Sequence, residues 1–303
     1  MSVTRVPVDP SLSTHPVVLL TGASSGIGLA LARQLVAWPA GHIVLTARAS
    51  SLPRFEALGI EASERVWLRP LDVTNEAERA AVMDEIDREL DGVDILINNA
   101  GVAYRSVTEQ IDEAEMRQQF ATNFVGPMDL ARLALPSMRA KRSGRVINVS
   151  SVSGMMAMPT MGAYSGSKFA LEGATESLWY EMKPWGIGVT LVQPGFIHSN
   201  SFQNVVWSDA ARRAMNDPAD PYHVVYRSMS PFIERLMQLA RATPEHIANQ
   251  VLRTLRQRKP RLRVFATIDA RFFYILRRAL PRKVFHALLY RRLPQVRQWG
   301  PDA

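Results

Sequence analysis

A doubly wound parallel α/β sheet with helices on both faces, a Rossmann fold, is the fold class this chain predicts. Three observations carry the prediction. The apolar run Val17-Val18-Leu19-Leu20 meets the glycine turn Thr21-Gly22-Ala23-Ser24-Ser25-Gly26-Ile27-Gly28 and then a helix-period stretch from Leu29 to Ala37. The same alternation of a short apolar run with a helix-period segment continues to Gln193, which strands paired antiparallel through hairpins would not need. No internal repeat or low-complexity segment interrupts it, so residues 1–303 read as one domain.

Each element has a local reason. Ile43 to Thr46 gives a second strand and Val66 to Leu71 a third. Thr74 is placed to cap a charged helix from Asn75 to Leu90, with Ala77, Ala81, Val82 and Ile86 on its inner face. Val93 to Ile97 makes a fourth strand, Glu113 to Met138 one long helix and Arg145 to Val149 a fifth strand. Gly162 to Lys183 is helical and Val189 to Gln193 is the sixth strand. Right-handed crossovers between successive strands then give the parallel sheet. Residues 16–199 form the core, 200–240 an insert, 267–303 a helical tail, and residues 1–15 a disordered lead.

Composition narrows the function classes. Hydrophobic residues make up 47% of the chain, ample for a core, and there is no cysteine, hence no disulfide scaffold and no thiolate metal site. The first residues lack the apolar run of a signal peptide, and no stretch approaches the ~18 apolar residues of a membrane span, so a cytoplasmic protein is expected. The net charge of +8 is unevenly spread, since residues 241–303 hold 15 Lys/Arg against Glu245, Asp269 and Asp302.

Two constellations carry chemistry. Gly22, Gly26 and Gly28 stand where the chain must turn sharply and admit a dinucleotide, with hydroxyls at Ser24 and Ser25 and the amides of the next helix facing its pyrophosphate. At the end of the second strand a carboxylate selects a ribose hydroxyl and an arginine a 2′-phosphate; here Arg48 follows Thr46-Ala47, and no acid occurs from Ile43 until Glu56. NADP(H) is therefore expected ahead of NAD(H). Tyr164 and Lys168 lie four residues apart on one helix face, so the ammonium is expected to draw the phenol below its free pKa near ~10. Ser151, at the end of the fifth strand, points a hydroxyl toward the same cleft.

Thr21-Gly22-x-x-x-Gly26-x-Gly28, Leu71-Asp72-Val73, Asn98-Asn99-Ala100-Gly101, Asn123, Ser151, Tyr164-x-x-x-Lys168 and Pro194-Gly195 occur in one order, and in this the sequence resembles the short-chain dehydrogenase/reductase family. Within it the resemblance is to the 17-beta-hydroxysteroid and retinol dehydrogenase branch, partly through Lys168-Phe169-Ala170-Leu171-Glu172-Gly173. The resemblance implies that Tyr164 exchanges the proton, Ser151 holds the substrate oxygen, and Lys168 serves Tyr164 and the nicotinamide ribose. Asn123 would position a relay water, Asp72 would contact adenine, Asn99 would lie beside the adenosine ribose, and Ile197 and Ser199 would meet the nicotinamide amide. It implies an oxidoreductase acting on carbonyl and alcohol groups, with no metal, and a homodimer on the two long helices. A dinucleotide-binding sensor or scaffold without turnover is the alternative.

Met155, Met156, Met158 and Met161 between Ser151 and Tyr164 suggest a hydrophobic substrate wall or plain core. The apolar insert, with Phe202, Trp207, Tyr222 and Tyr226, suggests a cover over a small hydrophobic substrate that is steroid-, retinoid- or lipid-like. From Ala270 to Leu293 aromatics and leucines alternate with arginines, predicting two short amphipathic helices broken at Pro281. Such a pair packs on its own protein or lies peripherally on a membrane; no nucleic-acid partner is expected.

Overall fold

The computed structural model describes residue 9, residues 12–198 and residues 205–300. Nine strands occur among them: β1 (Val17–Leu20), β2 (His42–Ala47), β3 (Val66–Pro70), β4 (Ile95–Asn98), β5 (Tyr104–Arg105), β6 (Gly144–Val149), β7 (Ile187–Gln193), β8 (Val206–Trp207) and β9 (Arg263–Phe265). Seven form one sheet in the order β3-β2-β1-β4-β6-β7-β9, parallel at every pairing, from Ile43 beside Val66 to Val192 beside Val264. The order reverses between β1 and β4, and a doubly wound sheet opens its ligand crevice at that switch point.

The helices in chain order are α1 (Gly26–Val36), α2 (Arg54–Ala57), α3 (Glu76–Leu90), α4 (Glu113–Phe120), α5 (Gly126–Lys141), α6 (Gly162–Met182), α7 (Asp209–Asn216), α8 (His223–Leu239), α9 (Pro244–Leu255), α10 (Ile268–Ala279) and α11 (Arg282–Arg291). Leu31 and Leu35 of α1 join Val251 and Leu255 of α9 on one face of the sheet. Met83 and Ile86 of α3, Leu130 and Met138 of α5 and Leu178 of α6 cover the other. Burial on both faces explains why β1 reads as an unbroken apolar run and β4 as Ile95-Leu96-Ile97, rather than as alternating patterns.

Several expectations change. The long helix is interrupted by a π-helical turn, Ala121–Val125, which contains Asn123. Asn75, not Thr74, is the N-cap of α3: its side chain accepts the Glu78 N–H, while the Thr74 hydroxyl turns back to Asp72. Ala77 and Ala81 are exposed, and Arg79 and Met83 take their place on the buried face. Arg79 can be buried there because Asp129 of α5 and the Val73 carbonyl receive its guanidinium.

The lead is not wholly disordered either. Asp9 is buried, its carboxylate accepts from Arg145 at 2.5 Å, and Leu12 packs into the core against which α1 and α9 close. A guanidinium buried at the start of β6 needs a counter-charge, and a segment distant in sequence supplies it. The tail folds as two helices meeting at Pro281. Ala270, Phe273, Leu276 and Phe285 of that pair pack against Val152, Met155, Met156 and Met158. The methionine run is therefore a floor shared with the tail.

Candidate active site

The crevice lies at the carboxyl ends of β1, β4 and β6. Gly22 has φ +65°, a left-handed backbone that favours glycine, and a Cβ on Gly28 would come within 2.0 Å of the Gly22 carbonyl. Only a glycine at that position lets the turn close. Thr21 and Asn99 brace it: the Thr21 hydroxyl accepts the N–H groups of Asn99 and Ala100, and the Asn99 amide donates to the carbonyls of Thr21 and Gly22 at 3.1 Å. Asn99 is thus committed to holding the glycine turn.

The N-terminus of α1 is open by contrast. Ser25 occupies the N-cap in an extended conformation without a side-chain cap bond, and no acid lies in the first turn. These unpaired amides with the helix dipole form a ready anion site, so the residues present fit a dinucleotide pyrophosphate. Ser24 and Ile27 are partly buried beside Ser25. The Ala23 N–H donates to the Thr46 carbonyl at 2.9 Å, which draws the end of β2 and the exposed Arg48 toward the turn. On the far side, one Asp72 oxygen accepts both the N–H and the hydroxyl of Thr74.

Ser151 lies two residues past the end of β6 and caps a short helical turn by accepting the Ser153 N–H. Its hydroxyl lies close enough to the Tyr164 phenol to favour the phenolate. Lys168 is buried one turn further along α6, its ammonium 6.0 Å from the phenol ring centre and donating to the Val149 carbonyl at 2.9 Å. Ser151, Tyr164 and Lys168 therefore converge.

The electrostatics overturn one expectation. Burial pushes the Tyr164 phenol up from its ordinary value, and the Ser151 hydroxyl only partly offsets this. Lys168 is brought down to about 8 by burial, against the opposing pull of Glu172. Low dielectric penalises both charged forms, and here that effect exceeds the pull of the Ser151 hydroxyl on one and of the Glu172 charge on the other.

Asn123 is fully buried in the π turn, where its amide donates to the Val102 carbonyl and the Ser167 hydroxyl while its oxygen accepts the Val102 N–H. It ties the segment after Gly101 to α6. A π turn is a rare irregularity, common at functional sites, and here it aims Asn123 into this gap.

Sequence reasoning missed three residues that build the site. Glu172 lies buried under Lys168, accepting from Ser150, Gln193 and Arg263 at 2.9, 2.7 and 2.6 Å. It joins the ends of β6 and β7 to the edge strand β9. Its spacing of four from Lys168 was a visible signal. Thr267 and Asp269, at the start of α10, accept the N–H groups of Gly195 and Phe196, both at 2.8 Å. No local pattern announces contacts more than 70 residues apart in sequence. They fix the Pro194–Ile197 segment, where Ile197 is partly buried against the core; Ser199 lies outside the described residues.

The insert is locked to the segment after Gly101. β5 and β8 pair in parallel, and the buried Tyr226 phenol accepts the Val107 N–H at 2.9 Å and donates to Gln110.

A family model described as short chain dehydrogenase matches residues 16–209. The chain belongs to this family, and it is an oxidoreductase of the Rossmann type. It is 32% identical over 271 residues to human 17-beta-hydroxysteroid dehydrogenase type 1, covering 87% of this chain and 80% of that protein. It is 40% identical over 189 residues to the 3-ketodihydrosphingosine reductase of Bacteroides thetaiotaomicron, covering 62% of this chain and 66% of that one. Among solved structures, a short-chain dehydrogenase from Streptomyces avermitilis superposes with TM-score 0.76 at 30% identity over 92% of this chain and 97% of its own. A metagenomic short-chain oxidoreductase in complex with NADP superposes with TM-score 0.64 at 26% identity, covering 84% and 97%.

Proposed function

We propose that this chain is an NADP(H)-dependent oxidoreductase that interconverts a hydrophobic ketone or aldehyde with its alcohol. The observation that carries the reading is the convergence of the Ser151 hydroxyl, the Tyr164 phenol and the Lys168 ammonium in one crevice beside an open helix N-terminus. In reduction, Tyr164 donates its proton to the substrate oxygen while Ser151 holds that oxygen. A phenol raised by burial arrives protonated at neutral pH, which suits the reductive direction. Lys168 supplies positive charge below the phenol and binds ribose hydroxyls. The cofactor, when bound, supplies the hydride; the protein supplies orientation and the proton.

Both amide hydrogens of Asn123 are already donated, so a relay water would be held by its main-chain carbonyl instead. Asp72 has one oxygen engaged by Thr74 and would offer the other to adenine. Arg48, exposed at the end of β2 with no acid near it in sequence, would fork onto a 2′-phosphate, and this supports NADP(H). Met155, Met156 and Met158, set between Ser151 and the tail, support an apolar substrate. A homodimer through the outer faces of α5 and α6 fits the exposed Phe169 and Tyr180 and the open space beside Gly173.

The test is a panel of steroid, retinoid and long-chain ketones and alcohols, followed by the ultraviolet absorbance of the reduced cofactor with NADPH and NADH separately. Turnover of an apolar carbonyl with NADPH preferred is expected. A preference for NADH refutes the cofactor assignment, and binding of NADPH without turnover of any member favours a sensor.

A further inference from the structure

The helix pair α10–α11 is apolar on two sides. Its inner side is accounted for by Ala270, Phe273, Leu276 and Phe285 against the methionine floor. Its outer side still presents Ile268, Phe272 and Ile275 on α10, of which Phe272 is 56% and Ile275 53% exposed. These stand at positions i, i+4 and i+7, and so form one stripe. Arg271 and Arg278, both exposed, fall on the same stripe at i+3 and i+10. On α11, Val284 and Leu288 are exposed at 50% and 41% with Arg291 one turn on. Arg282 and Lys283 sit exposed at the junction of the two helices.

A face on which large apolar side chains alternate with cations needs a partner that is apolar and anionic at once. A basic rim around a protein hot spot demands a matching acidic ring, and the acids of this chain are not gathered opposite it: residues 241–303 hold 15 Lys/Arg and three acids. A second copy would bring the same cations against these. An anionic lipid surface satisfies both halves at once, because phosphates neutralise the arginines while the apolar side chains enter the acyl boundary. No helix among the described residues is long and apolar enough to cross a membrane, so the contact would be along the surface.

We propose that the outer face of the α10–α11 pair, Phe272, Ile275, Val284 and Leu288 with Arg271, Arg278, Lys283 and Arg291, docks this protein on an anionic lipid bilayer. The surface stands independently of the reaction assigned above. It does border the site: the other side of the same helices covers Met155 and Met156, and the start of α10 holds Gly195 and Phe196. A bilayer on the outer face would lie across this helix pair from Val152 and the methionines that follow Ser151.

The experiment is vesicle co-sedimentation of the full chain with equal parts phosphatidylglycerol and phosphatidylcholine, with phosphatidylcholine alone, and at low and high salt. Binding to the anionic vesicles at least tenfold above the neutral ones, weakened by salt, is expected. Phe272→Ser with Ile275→Ser, and separately Arg271→Glu with Lys283→Glu, should each lower that binding at least tenfold with circular dichroism and melting unchanged. Protein that stays in the supernatant with anionic vesicles overturns the proposal, as does equal binding to neutral ones. Light scattering that shows wild type, but not the Phe272→Ser/Ile275→Ser variant, assembling in a concentration-dependent way without vesicle binding also overturns it, since a second copy would then be the occupant.

Discussion

The floor of the crevice and its rim are built on opposite principles. Under Lys168 the polar side chains are buried and consumed by one another: Asn98 donates to Asn148, Asn148 to Thr175, and Glu172 receives three donors. At the rim, Ser25 makes no cap bond and Arg48 is exposed. A consumed polar group holds geometry, whereas an open one is available to a ligand. Substitutions in the floor should therefore register in stability, and substitutions at the rim in ligand binding; the reacting residues lie where the two meet.

The largest effect should come at that meeting point. Tyr164→Phe removes only the phenolic proton, so kcat should fall by about 10²–10⁴-fold while melting and NADPH binding stay near wild type. More than a tenth of the wild-type rate on a good substrate would show that the phenol is not the proton donor.

Next comes the floor. Glu172→Ala leaves Arg263, Ser150 and Gln193 without their shared acceptor, and breaking such a buried pair costs about 3–5 kcal/mol; the partial exposure of Arg263 favours the lower end. Urea unfolding reads the loss directly. A variant as stable as wild type would erase the distinction between floor and rim.

The rim should answer in the other way. Arg48→Ala is expected to raise KM for NADPH by about 10–100-fold, the worth of a charge-assisted hydrogen bond of roughly 1.5–3 kcal/mol, with KM for NADH and the urea midpoint little changed. Equal changes for both cofactors would remove the 2′-phosphate role.

The smallest effect is a titration. Lys168 is held down to about 8 by burial, from an ordinary 10.5, so its ammonium is present at pH 7 and is lost as the pH rises through about 8. Dinucleotide affinity should fall above that point, with a break in the pH profile of kcat/KM that a free lysine would place much higher. A profile flat to about pH 10 would mean that the lysine stays charged in its pocket.

The contrast between floor and rim also separates what the sequence shows from what it hides. Rim residues are local: the glycine turn, Ser25 and Arg48 lie on one strand-helix-strand unit, where spacing alone states their purpose. The floor is assembled from residues far apart in the chain, such as Glu172 with Arg263 or Asp269 with Phe196, and no window of sequence contains both partners. Six strands of the main sheet were legible because each holds a short apolar stretch set between helix-period segments. β9 was not, because three residues of a basic segment become a strand only by pairing with β7 at the edge. The two-residue pair β5 and β8 escaped notice for the same reason.

By itself, then, the sequence determined the sheet, its glycine turn, the Tyr164/Lys168 spacing and the break of the tail at Pro281, since each follows from periodicity, sterics or helix geometry within a short stretch. Tertiary structure alone decided the rest. It placed Asp9 against Arg145, inserted a π turn at Asn123, set the methionine run under the tail, and drew the Tyr164 phenol and the Lys168 ammonium far enough from water that desolvation sets the direction of both pKa shifts. Those outcomes depend on which distant groups exclude water from which site, and the dielectric around a side chain is a property of the packed molecule.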